Sequence, residues 1–395
     1  MERILVSEAS SLGAIGVIRS LGKSGYDVYA CSTKRDALGF RSRYCTVGLS
    51  HPDYYSVEFL PWLFNVVEEY RIQAVVPSES FLLAVQSVYK DLEYLFPIGP
   101  NKETVYGCLS KVWVHEKLLV SSERNSLQDN LPKTIVWREG RALPSGDSLS
   151  RLGFPLFIKA DGIFSLNRAG GTVRRAEELS MALSILDELS GLYRALIIQG
   201  YVPGKRMVAD FCVWDGKIKS RSMMISRHED PHYGGIATLR KMTWNEQVMA
   251  DAERKAAHLG IQGVAMMEYR VDPKTGKFYF IEVNSRYWLG IHVEIMMGID
   301  IPKIHMNAFF GRESPYVENK RESSWVRYTF PGDVGWLISR LKDGKLTLGE
   351  KLKTVVEFLW LGIDIRVKSD LSYRGDRMLY WLALKRFVLG FFWKG

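Results

Sequence analysis

The chain has 395 residues, 47% hydrophobic and 25% charged, enough for two or three cores with an ordinary soluble balance. No apolar run reaches the roughly 18 residues of a spanning helix, and four scattered cysteines (Cys31, Cys45, Cys108 and Cys212) without CxxC spacing exclude a zinc site or disulfide framework and point to the cytoplasm. The net charge is +9, and Arg340 to Gly395 alone holds 12 basic against 6 acidic residues, so the body is near neutral and no nucleic-acid partner is expected.

The amino terminus, MERILVSEASSLGAIG, does not read as a signal peptide. Residues 2–6 read as a buried strand, 13–24 as a helix, 27–31 as a second strand, 54–70 as a helix and 73–80 as strand and loop. This alternation implies a parallel sheet with covering helices, ending near PIGPNKE at 97–103. SEASSLGAIG at 7–16 opens a helix but lacks the three-glycine spacing of a dinucleotide site. Ser78 and Glu79, after the ValValPro run, are instead candidates for an acceptor or carboxylate site, because ligands bind at strand ends in open α/β sheets.

A helix is expected around 110–121, followed by the polar stretch SSERNSLQDNLPK. FPLFIKA (154–160) is β-rich and ends on Lys159. A lysine at a buried strand end needs an anion, either a nucleotide phosphate or a structural carboxylate. The loop DGIFSLNRAGG (161–171) carries Gly170 and Gly171, whose backbone N–H groups can close over phosphates. Helical spacing follows at 175–189, a strand and Pro-Gly turn at 195–204, a hairpin about Asp215-Gly216 and a helix at 245–258. His228 and His232 are separated by Pro231, which forbids a helical metal face. Arg240 is a candidate contact for a phosphate or carboxylate.

GVAMMEYRVDPKTGKFYFIEVNSR (263–286) reads as a hairpin turning at 272–277. Glu282 and Asn284 are two apart and share a strand face, and antiparallel pairing can bring Glu268 beside them. Two carboxylates and an amide oxygen are hard ligands of the kind Mg²⁺ takes. Arg286 extends that face and can bind a phosphate or a developing acyl-phosphate oxygen.

In this order, Lys159, the glycine loop, GlnGlyTyrValProGly (199–204) and the hairpin with Glu268, Glu282, Asn284 and Arg286 resemble the ATP-grasp superfamily, over about residues 1–310. The superfamily includes carbamoyl-phosphate synthetase, biotin carboxylase and the D-alanine and D-aspartate ligases. The resemblance implies an α/β amino-terminal parallel-sheet domain (1–105), an α+β ATP-grasp domain of two subdomains (106–315, small lid about 150–200) and a basic helical extension (316–395). It implies that Lys111 and Lys159 hold ATP phosphates, that Glu268, Glu282 and Asn284 hold Mg²⁺ or Mn²⁺, and that Arg286 steadies the transferred group. Gln199, Gly200, Tyr201 and Val202 become an adenine-reading hinge, with Gly200 where relatives often carry an acid. Asp210 becomes the ribose candidate, since Lys205 and Arg206 occupy the stretch where an acid is expected.

The activity implied is ADP-forming ligation of a small-molecule carboxylate to an amine through an acyl phosphate, with cell-surface glycan or peptide assembly as a setting by analogy. Transfer to a thiol or other nucleophile, and a non-catalytic ATP-binding scaffold at a membrane, are the alternatives. The last segment, 376–395, is basic and aromatic. A helix of that kind lies peripherally on the inner membrane face or packs back onto protein, and a homodimer is the default assembly.

Overall fold

A computed structural model of the chain describes residues 1–99, 101–120, 127–167 and 170–392. Residues 121–126 of the expected polar stretch, Arg168 and Ala169 of the glycine loop, Pro100, and the last three residues lie outside the described residues.

The amino-terminal strands β1 (Arg3–Val6), β2 (Asp27–Ser32), β3 (Val47–Ser50) and β4 (Ala74–Val76) form a parallel sheet of order β3-β2-β1-β4, as the strand–helix alternation predicts. Strand alternation sorts its side chains into two layers. Ile4, Val6, Val28 and Ala30 pack with Val17, Ile18 and Leu21 of the helix Leu12–Lys23. Leu5, Tyr29 and Val75 face the other way, against Phe59, Leu63 and Val66 of the helix Phe59–Glu69. Each fully buried side chain of this size contributes about 1.5–3 kcal/mol relative to exposure.

Strands β5 (Thr134–Arg138), β6 (Leu156–Ala160), β7 (Thr172–Ala176) and β8 (Ala195–Gly200) make a second sheet, order β5-β8-β6-β7, covered by the helix Leu179–Ser190. The helix expected from 175 begins only at 179, because Thr172–Ala176 pairs with β6 as a strand, Val173 opposite Lys159.

The largest sheet runs β13-β12-β9-β10-β11-β15-β16, with β14 beside β10. Its strands are β9 (Lys205–Trp214), β10 (Lys217–Asp230), β11 (Ile236–Met242), β12 (Gly263–Val271), β13 (Phe278–Asn284), β14 (Val317–Glu318), β15 (Val326–Arg327) and β16 (Lys368–Ser369). One face buries Ala209, Phe211, Met267 and Tyr269 against Val248, Met249 and Ala252 of the helix Glu246–His258. The opposite face carries the polar residues described next.

The sheet reaches the amino-terminal domain through residues 288–292. A Cβ at Gly13 would stand 2.9 Å from the Trp288 carbonyl oxygen, so only glycine lets the helix Leu12–Lys23 approach so closely. All four cysteines are free. Among the described residues no helix is long and apolar enough to cross a membrane.

Candidate active site

The β12–β13 hairpin sets Glu268 opposite Glu282 and Met266 opposite Asn284. On the other side of β12, Val208 stands opposite Glu268 and Arg206 opposite Arg270. Cross-strand partners share a face, so Arg206, Glu268, Glu282 and Asn284 project together. An Arg206 guanidinium nitrogen lies 2.6 Å from Glu268 Oε2. Burial pushes the Glu268 carboxyl above its usual range, against the pull of Arg206 and with a further push from Glu282. Glu282 behaves in the opposite way. Burial alone would raise it, but Lys111 and Lys159 outweigh burial and hold it down at about 2, helped by the Asn284 amide, which donates to Oε1 at 3.1 Å.

Two lysines reach this floor from different elements. Lys111 is the first residue of the helix Lys111–Leu119, capped by Ser110, whose hydroxyl accepts from the Trp113 amide. The Lys111 amide, left over at the helix start, donates to Asp161 Oδ2 at 2.7 Å, and its Nζ lies 3.3 Å from Asp161 Oδ1 and 3.6 Å from Glu282. Lys159, 7% exposed, donates to Gln199 Oε1 at 2.9 Å. Burial pulls its ammonium pKa down, Glu282 opposes that pull, and Lys111 adds to it. Asp161, which ties Lys111 to the glycine loop, was not foreseen; its position directly after the lysine strand was the available signal. At the loop's far end, a Cβ on Gly171 would meet the Ala160 carbonyl oxygen at 3.0 Å, whereas Gly170 has open space around it.

A cavity of about 380 Å³ lies between the sheets, lined by Lys159, Gln199–Val202, Arg206, Glu268 and Glu282 and roofed by Tyr233–Gly235. Of the four hinge positions, Gln199 uses its side chain on Lys159 and Thr134. The Gly200 and Tyr201 amides already donate to Lys133 and Pro155 carbonyls, which leaves their carbonyl oxygens as the groups they can offer to a base in this cavity. Val202 alone remains, among the described residues, as an amide of this cavity-lining stretch outside the strand ladder. Glycine at 200 also has a steric cause: a Cβ there would sit 2.5 Å from the Leu152 carbonyl oxygen. An acid therefore cannot occupy this backbone as it stands.

Arg286 stands at the meeting of two further cavities. One, about 190 Å³, is lined by Arg206, Arg240, Arg286, Glu282 and Asn284 over an apolar wall that includes Trp288. The other, about 350 Å³, sits at the carboxyl ends of β1 and β4, with Ser7, Glu8, Ser78, Glu79, Gly170 and Gly171 around it. Arg286 Nε lies 3.6 Å from Glu79. Glu8 holds a left-handed backbone, φ 56°, uncommon for a residue with a side chain and typical of functional strand ends. Sequence reading singled out Ser78 and Glu79 but missed Glu8, which follows β1 as Glu79 follows β4.

One expectation needs correction and another is qualified. Asp210 is not at a ribose: it is fully buried and faces Glu294, also fully buried, and it lines none of these cavities. Burial raises both carboxyls, Glu294 to about 7, and the Glu294 charge further opposes ionisation of Asp210. Arg240 lines the smaller cavity, but it is 1% exposed and its Nη2 donates to Asp370 at 2.7 Å. It is first a strut, with only Nε lacking a partner.

The imidazoles of the 227–235 segment are likewise bonded to the carboxy-terminal region, His228 to Asp333 and His232 to Asp343. A carboxyl raised on folding adds stability below its unfolded pKa and loses it as pH rises through the folded value. Wild-type stability should therefore fall between about pH 4.5 and 7 through this acid pair. Asp210→Asn should flatten that slope in urea titrations without changing nucleotide affinity. A tenfold loss of affinity with the melting temperature intact would restore Asp210 to the nucleotide.

The donor set suits a divalent ion shared with a nucleotide. Among the described residues no three His, Cys, Asp or Glu could hold a metal, and Mg²⁺ characteristically takes one or two carboxylates with phosphate and water for the rest. Glu282 lines both the hinge cavity and the smaller cavity at Arg286, Asn284 lines the smaller one, and Glu268 lines the hinge cavity, where Arg206 shares its carboxylate.

Residues 193–329, which contain β9–β13, match the family described as "ATP-grasp in the biosynthetic pathway with Ter operon". Over 68 residues the chain is 38% identical to pyruvate carboxylase 1 of Caenorhabditis elegans, a match covering 17% of this chain and 6% of that protein's length. Among solved structures it is similar to D-alanine–D-alanine ligase from Bacillus anthracis complexed with ATP, at 17% identity, 79% and 96% coverage of the two chains and TM-score 0.53. Biotin carboxylase from Campylobacter jejuni (18%, 82% and 74%, 0.59) and N5-carboxyaminoimidazole synthetase from Staphylococcus aureus complexed with ADP (14%, 81% and 80%, 0.60) are further likenesses.

Proposed function

We propose that this chain, whose fold is that of the ATP-grasp enzymes, is an ADP-forming ligase that joins a carboxylate to an amine. The observation that carries this is the pair of differently charged cavities meeting at Arg286: three guanidinium groups beside the one carboxylate of Glu282 around the first, two of them also paired with Glu268 and Asp370, and Glu8 and Glu79 on the second. An anionic carboxylate suits the first and a cationic amine the second, with the lysine–carboxylate floor between them for a triphosphate. A neutral thiol acceptor gains no charge attraction from an acidic wall, whereas an ammonium does.

In this reading Lys111 and Lys159 neutralise the ATP phosphates, Val202 reads adenine and the Tyr233–Gly235 roof closes over the base. Glu268, Glu282 and Asn284 would hold Mg²⁺ or Mn²⁺, which when bound polarises the transferring phosphoryl oxygens. A substrate carboxylate oxygen attacks the γ-phosphorus and ADP leaves. Arg286 steadies the acyl phosphate. The amine gives up a proton to Glu79, attacks the acyl carbon and expels phosphate. Gly170 and Gly171, closing over the site, exclude the water that would hydrolyse the intermediate. Product use in cell-surface glycan or peptide assembly fits a carboxylate–amine ligase.

ADP release with Mg²⁺-ATP, measured against pooled carboxylates and pooled amines, tests this. Release should need one member of each pool, and Glu79→Gln should raise the amine KM about tenfold or more with the ATP KM little changed. Release with carboxylate and thiol alone, or no release with any pair, counts against it.

A further inference from the structure

Thirteen of the 29 exposed large apolar side chains among the described residues fall between 338 and 389, so the apolar surface of this molecule is concentrated at one end. Its centre is the helix Leu348–Ile363. The inner side of that helix is committed to the protein: Thr354 and Leu361 are buried, Phe358 lies under the Arg327 guanidinium at 4.2 Å, and Glu357 bonds His228. On the outer side Leu348, Leu352, Val356, Leu359, Trp360 and Ile363 recur at helical spacing and are 58–84% exposed. A continuous apolar stripe over four turns is what an interaction surface carries.

The charges around it are of one sign. All six acids beyond Arg340 are used within the protein. Asp343 bonds His232, Glu350 caps its own helix, Glu357 bonds His228, Asp364 pairs with Arg366, Asp370 with Arg240 and Asp376 with Arg19. Lys351, Lys353, Lys368, Arg374, Arg377 and Lys385 form no ion pair among the described residues.

A groove of about 940 Å³, with Lys23, Lys368 and Arg374 on its walls, runs from the end of this helix to the start of the helix Met378–Phe392. The second helix buries Leu379 and sets Phe387 against Phe330 at 5.2 Å, while Trp381 is 64% exposed. A second copy of the chain would bring the same unpaired cations face to face, which is repulsive. Apolar stripe, exposed indoles and unpaired lysines together match an anionic lipid surface.

We propose that the helix Leu348–Ile363, with the outer side of Met378–Phe392, docks this protein on an anionic bilayer, lying in the interface with the Lys368–Arg374 groove against lipid phosphates. This goes beyond the ligase reading and does not depend on it.

The test is co-sedimentation of the full chain with vesicles of phosphatidylglycerol and of phosphatidylcholine. The chain should bind the first and not the second, and release as salt rises. Leu352→Glu with Trp360→Glu, and separately Lys353→Glu with Lys368→Glu, should each weaken binding at least about tenfold, with melting temperatures unchanged. Val57→Glu, at a 91% exposed position in the amino-terminal domain, should bind as wild type, and so should the turnover-deficient Glu282→Gln. Absence of phosphatidylglycerol binding at low salt, or binding that both double variants retain, would overturn the proposal. A concentration-dependent dimer that the same variants break, with no vesicle binding, would instead assign the surface to a second copy.

Discussion

Glu282→Gln should lower ATP turnover on the order of a thousandfold, while the melting temperature stays close to wild type. Glu282 is where the elements of the site converge: opposite Glu268 in the hairpin register, 3.6 Å from Lys111, bonded by Asn284 and lining two of the cavities. Glutamine keeps the size and the oxygen that accepts from Asn284 but removes the charge, leaving Lys159 with a neutral partner across the floor. Loss of one preorganised electrostatic element typically costs about 10²–10³ in rate, and loss of a metal-ligating charge adds to that. Steady-state ADP release with saturating Mg²⁺-ATP is the measurement. Turnover within about threefold of wild type would remove Glu282 from the chemistry and with it the ligase mechanism.

Asp376→Ala should destabilise the whole protein by about 3–5 kcal/mol, because it leaves a buried guanidinium without its counter-charge. Asp376 accepts from Arg19 Nε at 2.9 Å and from Ser42 at 2.8 Å, and both ion-pair side chains are almost completely buried. Arg19 also donates to the carbonyls of Asp370 and Leu371. One arginine of the first helix thus fastens residues 370–376 to the amino-terminal domain. Urea unfolding should show the loss in Asp376→Ala. The pair Arg19→Met with Asp376→Leu should be less destabilised than either single change, since it leaves no orphan charge. Equal midpoints for Asp376→Ala and wild type would mean that the carboxy-terminal segment contributes little to the fold.

What could be read from the sequence follows from the range of each signal. The parallel amino-terminal sheet and the 263–286 hairpin were legible because strand period and turn chemistry are local: Glu282 and Asn284 share a face on any strand, and the turn between 271 and 278 fixes Glu268 opposite. Lys159 was legible as a cation at the end of an apolar run. Other partners depend on register between distant strands, which no local pattern encodes. Arg206 looked like an obstacle to a ribose acid; alignment of β9 with β12 makes it the counter-ion of Glu268. Which hinge groups are already engaged was equally hidden: the Gly200 and Tyr201 amides donate to the Lys133 and Pro155 carbonyls.

By itself, then, the sequence determined the α/β class, the hairpin face with Glu268, Glu282, Asn284 and Arg286, and the surplus of positive charge beyond Arg340. Each rests on periodicity or composition that survives whatever the chain packs against. Only the tertiary structure decided that Asp210 lies buried against Glu294, that Arg240 braces Asp370 and that Glu8 joins Glu79 around the cavity at the carboxyl ends of β1 and β4. It also decided that the apolar stripe of Leu348–Ile363 faces outward. The physical reason is common to all four: desolvation and pairing are set by what packs above a residue, and those neighbours arrive from tens to hundreds of positions away.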